Sequence, residues 1–182
     1  MIKKLDFEDI LPAEGVGKIK LGMSYDEVID ILKNYYRVSH EKRNYKNHFA
    51  LYIGKDDIEI VFSKIKIVDA KSIPLLDEDI VVSRISVGND FKGKLFGKIG
   101  IGNTLKDVSR DIGEWFDDDY DDGYELKDYP GVAFFLKDIG KDSDEDVWDD
   151  WTYPIESISI YPKDFHKGWF DVVVVREGKK NK

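Results

Sequence analysis

Apolar residues in this chain alternate with polar ones in several short runs and recur at helical spacing in few places. Phe49, Leu51 and Ile53 interleave with His48, Ala50 and Tyr52, Gly54-Lys55-Asp56-Asp57 follows, and Ile58, Ile60 and Phe62 resume the alternation. A period of two on both sides of a turn cluster predicts a β-hairpin. Further strands are predicted near 80–87, at 132–137 after Pro130-Gly131, at 155–161 and at 169–175. Between 65 and 79, Pro74 and the run Leu75-Leu76-Asp77-Glu78-Asp79 break the pattern, which predicts an insertion at the seam of the first hairpin. Helices are predicted at 24–36 and 104–116. Val28, Ile31, Leu32 and Tyr35 lay an apolar stripe along the first. Each helix opens on a hydroxyl residue followed three positions later by a carboxylate, Ser24 with Glu27 and Thr104 with Asp107, the pattern of a capping box.

The two helix starts belong to a longer match. Gly17-Lys18-Ile19-Lys20-Leu21-Gly22-Met23-Ser24-Tyr25-Asp26-Glu27-Val28 aligns with Gly97-Lys98-Ile99-Gly100-Ile101-Gly102-Asn103-Thr104-Leu105-Lys106-Asp107-Val108 at a constant offset of 80, with five identities and three conservative changes. Downstream, Ile85-Ser86-Val87 matches Ile158-Ser159-Ile160, and Asp90-Phe91 matches Asp164-Phe165. Two matching blocks in the same order point to an internal duplication. The expected fold is α+β, with two tandem helix-then-antiparallel-sheet units over 1–95 and 96–182. The units share one continuous sheet or pack face to face, and the sequence does not choose.

Composition narrows the function. The net charge of −9, from 28 basic and 37 acidic residues, opposes binding to phosphate backbones, so no nucleic-acid partner is expected. The absence of cysteine removes disulfides, thiolate metal sites, thiol catalysis and cysteine-linked lipid. Lys3 and Lys4 are followed by acidic residues where a secretory signal needs an apolar run, and no stretch approaches the ~20 apolar residues that span a bilayer. A cytoplasmic protein without membrane contact is expected.

Catalytic motifs are not evident. His40, His48 and His166 lie far apart and form no paired-ligand spacing; no nucleophile elbow or phosphate loop occurs. Gly100-Ile101-Gly102 has the start of a dinucleotide fingerprint, yet Leu105 holds the third glycine position. Neither enzymatic activity nor a cofactor is expected.

The excess charge is confined to 117–150, where fourteen acidic residues face three lysines, a local balance of −11 that leaves the rest of the chain at +2. One cluster is Asp117, Asp118, Asp119, Asp121 and Asp122; the other is Asp142, Asp144, Glu145, Asp146, Asp149 and Asp150, interleaved with Trp148 and Trp151. An EF-hand loop needs glycine at its sixth position, and the two frames place Asp122 and Val147 there. An irregular calcium or magnesium site on these carboxylates, as a binding module or a metal-dependent enzyme, is one alternative. A structural module assembling through a sheet edge such as 169–175 is another. The favoured expectation is a partner-binding surface made of all thirteen residues of the two clusters. Charge steers a basic protein toward it, and the tryptophans supply desolvated contact.

The run from Gly17 to Val28, given again from Gly97 to Val108, resembles the tandem helix-plus-sheet modules of β-lactamase inhibitor proteins and of the outer-membrane assembly lipoprotein BamE. In its small size and acidic character the chain also resembles bacterial immunity proteins of polymorphic and contact-dependent toxins. That second resemblance implies a cytoplasmic inhibitor without an active site, neutralising a basic cognate toxin such as a nuclease. Neither resemblance carries over a functional residue.

Overall fold

The computed structural model describes residues 9–36, 39–46, 48–54, 57–64, 66–69, 74–76, 80–118, 123–137, 150–163 and 173–176. Three short strands open the chain, β1 (Asp9–Leu11), β2 (Gly15–Val16) and β3 (Ile19–Lys20). Helix α1 (Tyr25–Ile31) starts where its capping box predicts: Ser24 Oγ accepts from the Glu27 N–H, and the Glu27 carboxylate accepts from the Ser24 N–H at 2.8 Å. Two of the helix's orphan donors are satisfied in this way. A π-helical turn, Leu32–Tyr36, continues it. There follow β4 (His40–Asn44), β5 (His48–Ile53), β6 (Ile58–Lys64), β7 (Lys66–Asp69), β8 (Pro74–Leu76), β9 (Ile80–Gly88) and β10 (Lys94–Leu95). Helix α2 (Leu105–Asp111) carries the same reciprocal cap between Thr104 and Asp107. After it come β11 (Trp115–Asp118), β12 (Gly123–Leu126), β13 (Val132–Leu136), a 3-10 turn at Asp150–Thr152, β14 (Ile155–Ile160) and β15 (Val173–Arg176).

One expectation is corrected. Helix α2 ends at Asp111 rather than 116, because Ile112 caps it and Gly113, a poor helix former, is followed by Trp115 and Phe116, which suit a pleated half-buried strand. The first acidic cluster therefore opens inside a strand. Within the insertion expected at 65–79, the described residues form strands. β7 pairs with β8 and, in parallel, with β15, as a three-stranded sheet apart from the large one. Pro74 is the first residue of β8, a place where its missing N–H is tolerated.

The large sheet has eight strands in the order β11-β12-β13-β14-β9-β6-β5-β4, every ladder antiparallel. It is continuous through the β9–β14 ladder, where Ile85 faces Ile160, Ser86 faces Ser159 and Val87 faces Ile158. Both helix starts are tied to the sheet by one pattern. The Gly22 N–H donates to the Val82 carbonyl (2.7 Å) and the Val82 N–H to the Met23 carbonyl (2.8 Å). The Gly102 N–H donates to the Ile155 carbonyl (2.9 Å) and the Ile155 N–H to the Asn103 carbonyl (2.7 Å).

Alternation decides which face is dry. Leu51, Ile53, Ile60, Phe62, Ile85, Phe134, Ile158 and Ile160 point to one side and form a single core with Val28, Leu32, Leu105 and Val108 from the helices. Ile10, Ile19 and Leu95 join it from a four-stranded sheet, order β10-β1-β2-β3, in which β1 and β10 are parallel. Phe62 is fully buried, stacked on Phe49 at 4.6 Å with Tyr25 edge-on. Truncating such a ring costs about 3–5 kcal/mol. The fold is α+β with strand predominating. Among the described residues no helix is long and apolar enough to cross a membrane.

Candidate functional site

β11 is a terminal strand of the large sheet, and Asp117 within it begins the acidic run. Its register sets Trp115 opposite Leu126, Phe116 opposite Glu125, Asp117 opposite Tyr124 and Asp118 opposite Gly123. Directly paired residues share a face, so Trp115 and Asp117 lie on the helix side and Phe116 on the other. Trp115 is fixed from two directions. Its indole N–H donates to Ser109 Oγ of α2 (2.9 Å), and its ring meets Tyr124 edge-on at 5.2 Å. Trp151, in the 3-10 turn, packs on Trp115 with centroids 4.9 Å apart and planes 65° apart, yet stays 48% exposed. An edge-to-face pair is worth about 0.5–1.5 kcal/mol, which holds the ring in place without hiding it. Beside it Lys127 Nζ donates to Glu114 at 2.6 Å, and that lysine holds the Glu114 carboxyl below the usual carboxylate range.

Of the residues singled out from the sequence, Asp117 and Trp151 are thus brought to one sheet edge through Trp115. Asp118 follows in β11, and Asp150 begins the turn that carries Trp151. Asp119, Asp121, Asp122, Asp142, Asp144, Glu145, Asp146, Trp148 and Asp149 lie outside the described residues. Trp115 and Tyr124 were missed because Trp115 fell inside the overlong second helix. Its position between Glu114 and Asp117 was the available signal.

The face of the sheet turned away from the helices carries a polar row. Cross-strand partners run Phe116, Glu125, Ala133, Ser159, Ser86, Glu59, Tyr52 and Glu41 across all eight strands. Glu125 is buried and accepts a hydrogen bond from the Tyr161 hydroxyl. Ser86 and Ser159 bond to each other at 2.8 Å. Tyr52 donates to Glu59 (2.7 Å), whose second oxygen accepts from Arg84 Nη2 (3.2 Å). Burial, then the hydrogen bonds to Tyr45 and Glu59, push the Tyr52 phenol above the usual tyrosine range, so it is a donor and not a base at neutral pH. Over this row lies an open depression of about 430 Å³, lined by Tyr52, Glu59, Arg84, Ser86, Phe135 and Ser157 among others. Lone polar residues inside apolar strands, such as Glu59 between Ile58 and Ile60, were the sequence signal for it.

His40 and His48 stand at opposite ends of the β4–β5 pair, and His166 lies outside the described residues. Among the described residues no three His, Asp or Glu side chains are grouped to hold a metal ion.

No family model matches the chain, and no curated protein matches it. Among solved structures it is similar to the crystal structure of the uncharacterized protein yfeY from Escherichia coli. The identity is 15%, the match covers 83% of this chain and 98% of that chain, and the TM-score is 0.48.

Proposed function

We propose that this chain is a duplicated helix-and-sheet scaffold that acts in the cytoplasm by binding a basic protein, as an immunity protein binds its cognate toxin. The observation that carries the partner reading is Trp151, half in water yet packed on Trp115, which shares its strand face with Asp117. A rigid aromatic with one side available has the composition of an interaction hot spot, and the acidic stretches of sequence on which it and Trp115 lie favour a cationic partner.

Duplication is supported by a second offset. The helix starts repeat at 80, while the helix-to-sheet ties relate Val82 to Ile155, an offset of 73. The directly facing Ser86 and Ser159 are also 73 apart. Equivalent residues of the two blocks thus meet at the middle of the sheet, as they would on an approximate two-fold axis.

The test is a tagged pull-down at low and high salt with the wild type and with Trp151→Ala/Asp117→Asn, followed by affinity measurement on the recovered protein. A stoichiometric basic protein, bound at least about tenfold more weakly by the variant and released by salt, supports the reading. Recovery of equal amounts by both proteins, or of no stoichiometric partner by the folded wild type, rejects it.

A further inference from the structure

The large sheet ends on two strands of opposite charge. β4 reads His-Glu-Lys-Arg-Asn and carries +1 with histidine neutral; β11 reads Trp-Phe-Asp-Asp and carries −2. Lys46 lies just beyond β4, and Glu114 just before β11. Among the described residues each of these strands is paired on one side, β4 with β5 and β11 with β12. An open strand edge offers a row of backbone donors and acceptors, and charge is the common guard against edge-to-edge pairing. That guard works here against like edges only. β4 against β4 sets Lys42 and Arg43 near their own copies, and β11 against β11 does the same with Asp117. The combination of β4 with β11 joins opposite signs, even with Arg43 already bonded to Glu41 at 2.9 Å.

Strand direction allows the same combination. With eight strands and every ladder antiparallel, β4 and β11 run in opposite directions. A second copy placed next in line along the sheet, and turned to carry on its twist, therefore brings its β11 antiparallel to β4 of the first. Faces agree as well. Lys42 is opposite Leu51, a core residue, and Asp117 is opposite Tyr124, which packs on the same core, so both charges lie on the helix side. Exposed aromatic surface adjoins both edges: Tyr45 next to β4, and Phe116 and Trp151 at β11.

We propose that the chain associates head to tail with further copies of itself, β4 of one pairing with β11 of the next so that the large sheet continues from molecule to molecule. The two surfaces in contact differ, so association does not close at a dimer. This goes beyond the partner reading, which concerns β11 and Trp151 alone; a partner seated there ends growth at that edge.

The experiment is sedimentation velocity on the full chain over a concentration series at low and high salt. At low salt the weight-average mass is expected to rise past twice the 21.1 kDa chain mass, and high salt to return it toward the monomer. Lys42→Glu with Arg43→Glu, and separately Asp117→Lys with Asp118→Lys, should each weaken association at least about tenfold. An equal mixture of the two variants should regain it, because one then presents two acidic edges and the other two basic ones. Circular dichroism melts establish that both remain folded. A wild type that stays monomeric at low salt, a mass that plateaus at the dimer, or growth that neither variant alters overturns the proposal. Because the β4 variant leaves Trp151 and Asp117 intact, lost self-association with retained partner binding separates this inference from the partner reading.

Discussion

Glu125 is a carboxylate kept almost wholly out of water, with Tyr161 donating to it across the polar row. Glu125 keeps other contacts, so removal of one of its hydrogen bonds costs about 0.5–1.5 kcal/mol. Tyr161→Phe is therefore expected to lower stability by that amount, read as a shift in urea midpoint at constant m-value. An unshifted midpoint would mean that the bond contributes nothing net. Asp107 makes a different prediction. The Thr104 N–H, then Asn103, the Thr104 hydroxyl and Arg110, favour its charged form, and its pKa is lowered despite partial burial. A folded-state value below the unfolded one, about 3.9, stabilises the protein above that pH, and the contribution disappears as pH falls through the folded value. Asp107→Asn should cost about 0.5–1 kcal/mol at neutral pH and progressively less as the pH falls below the unfolded value. Chemical denaturation at neutral and acid pH checks this, and an undiminished difference in acid would assign the effect to packing.

Among the elements, the turn before β13 does the joining. The Gly131 carbonyl accepts from both the Ala13 and the Tyr161 N–H groups at 3.1 Å, which ties the β1–β2 turn to the end of β14. Gly131 has φ +91°, and a Cβ there would stand 2.5 Å from the Tyr161 carbonyl oxygen and 2.7 Å from Ala13 Cβ. Gly131→Ala should destabilise by on the order of 2–4 kcal/mol, because left-handed strain and a backbone clash add. A thermal midpoint within a degree of wild type would refute the placement of this turn. Pro130-Gly131 was readable as a turn, as were β5 with β6, β9, β13, β14 and both capping boxes, because each rests on local chemistry or alternation. β4 was not, since His-Glu-Lys-Arg-Asn contains no apolar residue; its strand state comes from pairing with β5. β1, β2 and β3 are too short to show a period. β11 is not legible, because a helix drawn over 104–116 takes in Gly113, Trp115 and Phe116. The tryptophan edge was half legible: Trp151 stood out by its acidic neighbours, whereas its support by Trp115 is a tertiary fact.

For the whole molecule, the core reaches from Ile10 to Ile160 without a break, and the β9–β14 ladder makes two sequence halves one sheet. The boundary near residue 95 drawn from the repeat is therefore expected not to be a unit of stability. Calorimetry should show a single transition, and 96–182 alone should lack cooperative unfolding, since β14 would lose β9 and the C-terminal part of the core would lose its other wall. A fragment that melts cooperatively as a monomer would show that the halves are independent.

The distance along the chain between β9 and β14 also sets an order of events at the ribosome. β9 can close against β6 soon after it is made, but Ser159 is synthesised 73 residues after the Ser86 it faces. At about 5–20 residues per second that gap lasts roughly 4–15 s. Throughout it, the half of β9 that carries Ile85 and Val87 lacks its native neighbour on one edge, whereas Val82 is already tied to Gly22 and Met23. The interval in which this chain is most open to aggregation or to capture by a chaperone is thus fixed by the position of one strand in the sequence, and slowing translation between the two halves would lengthen it.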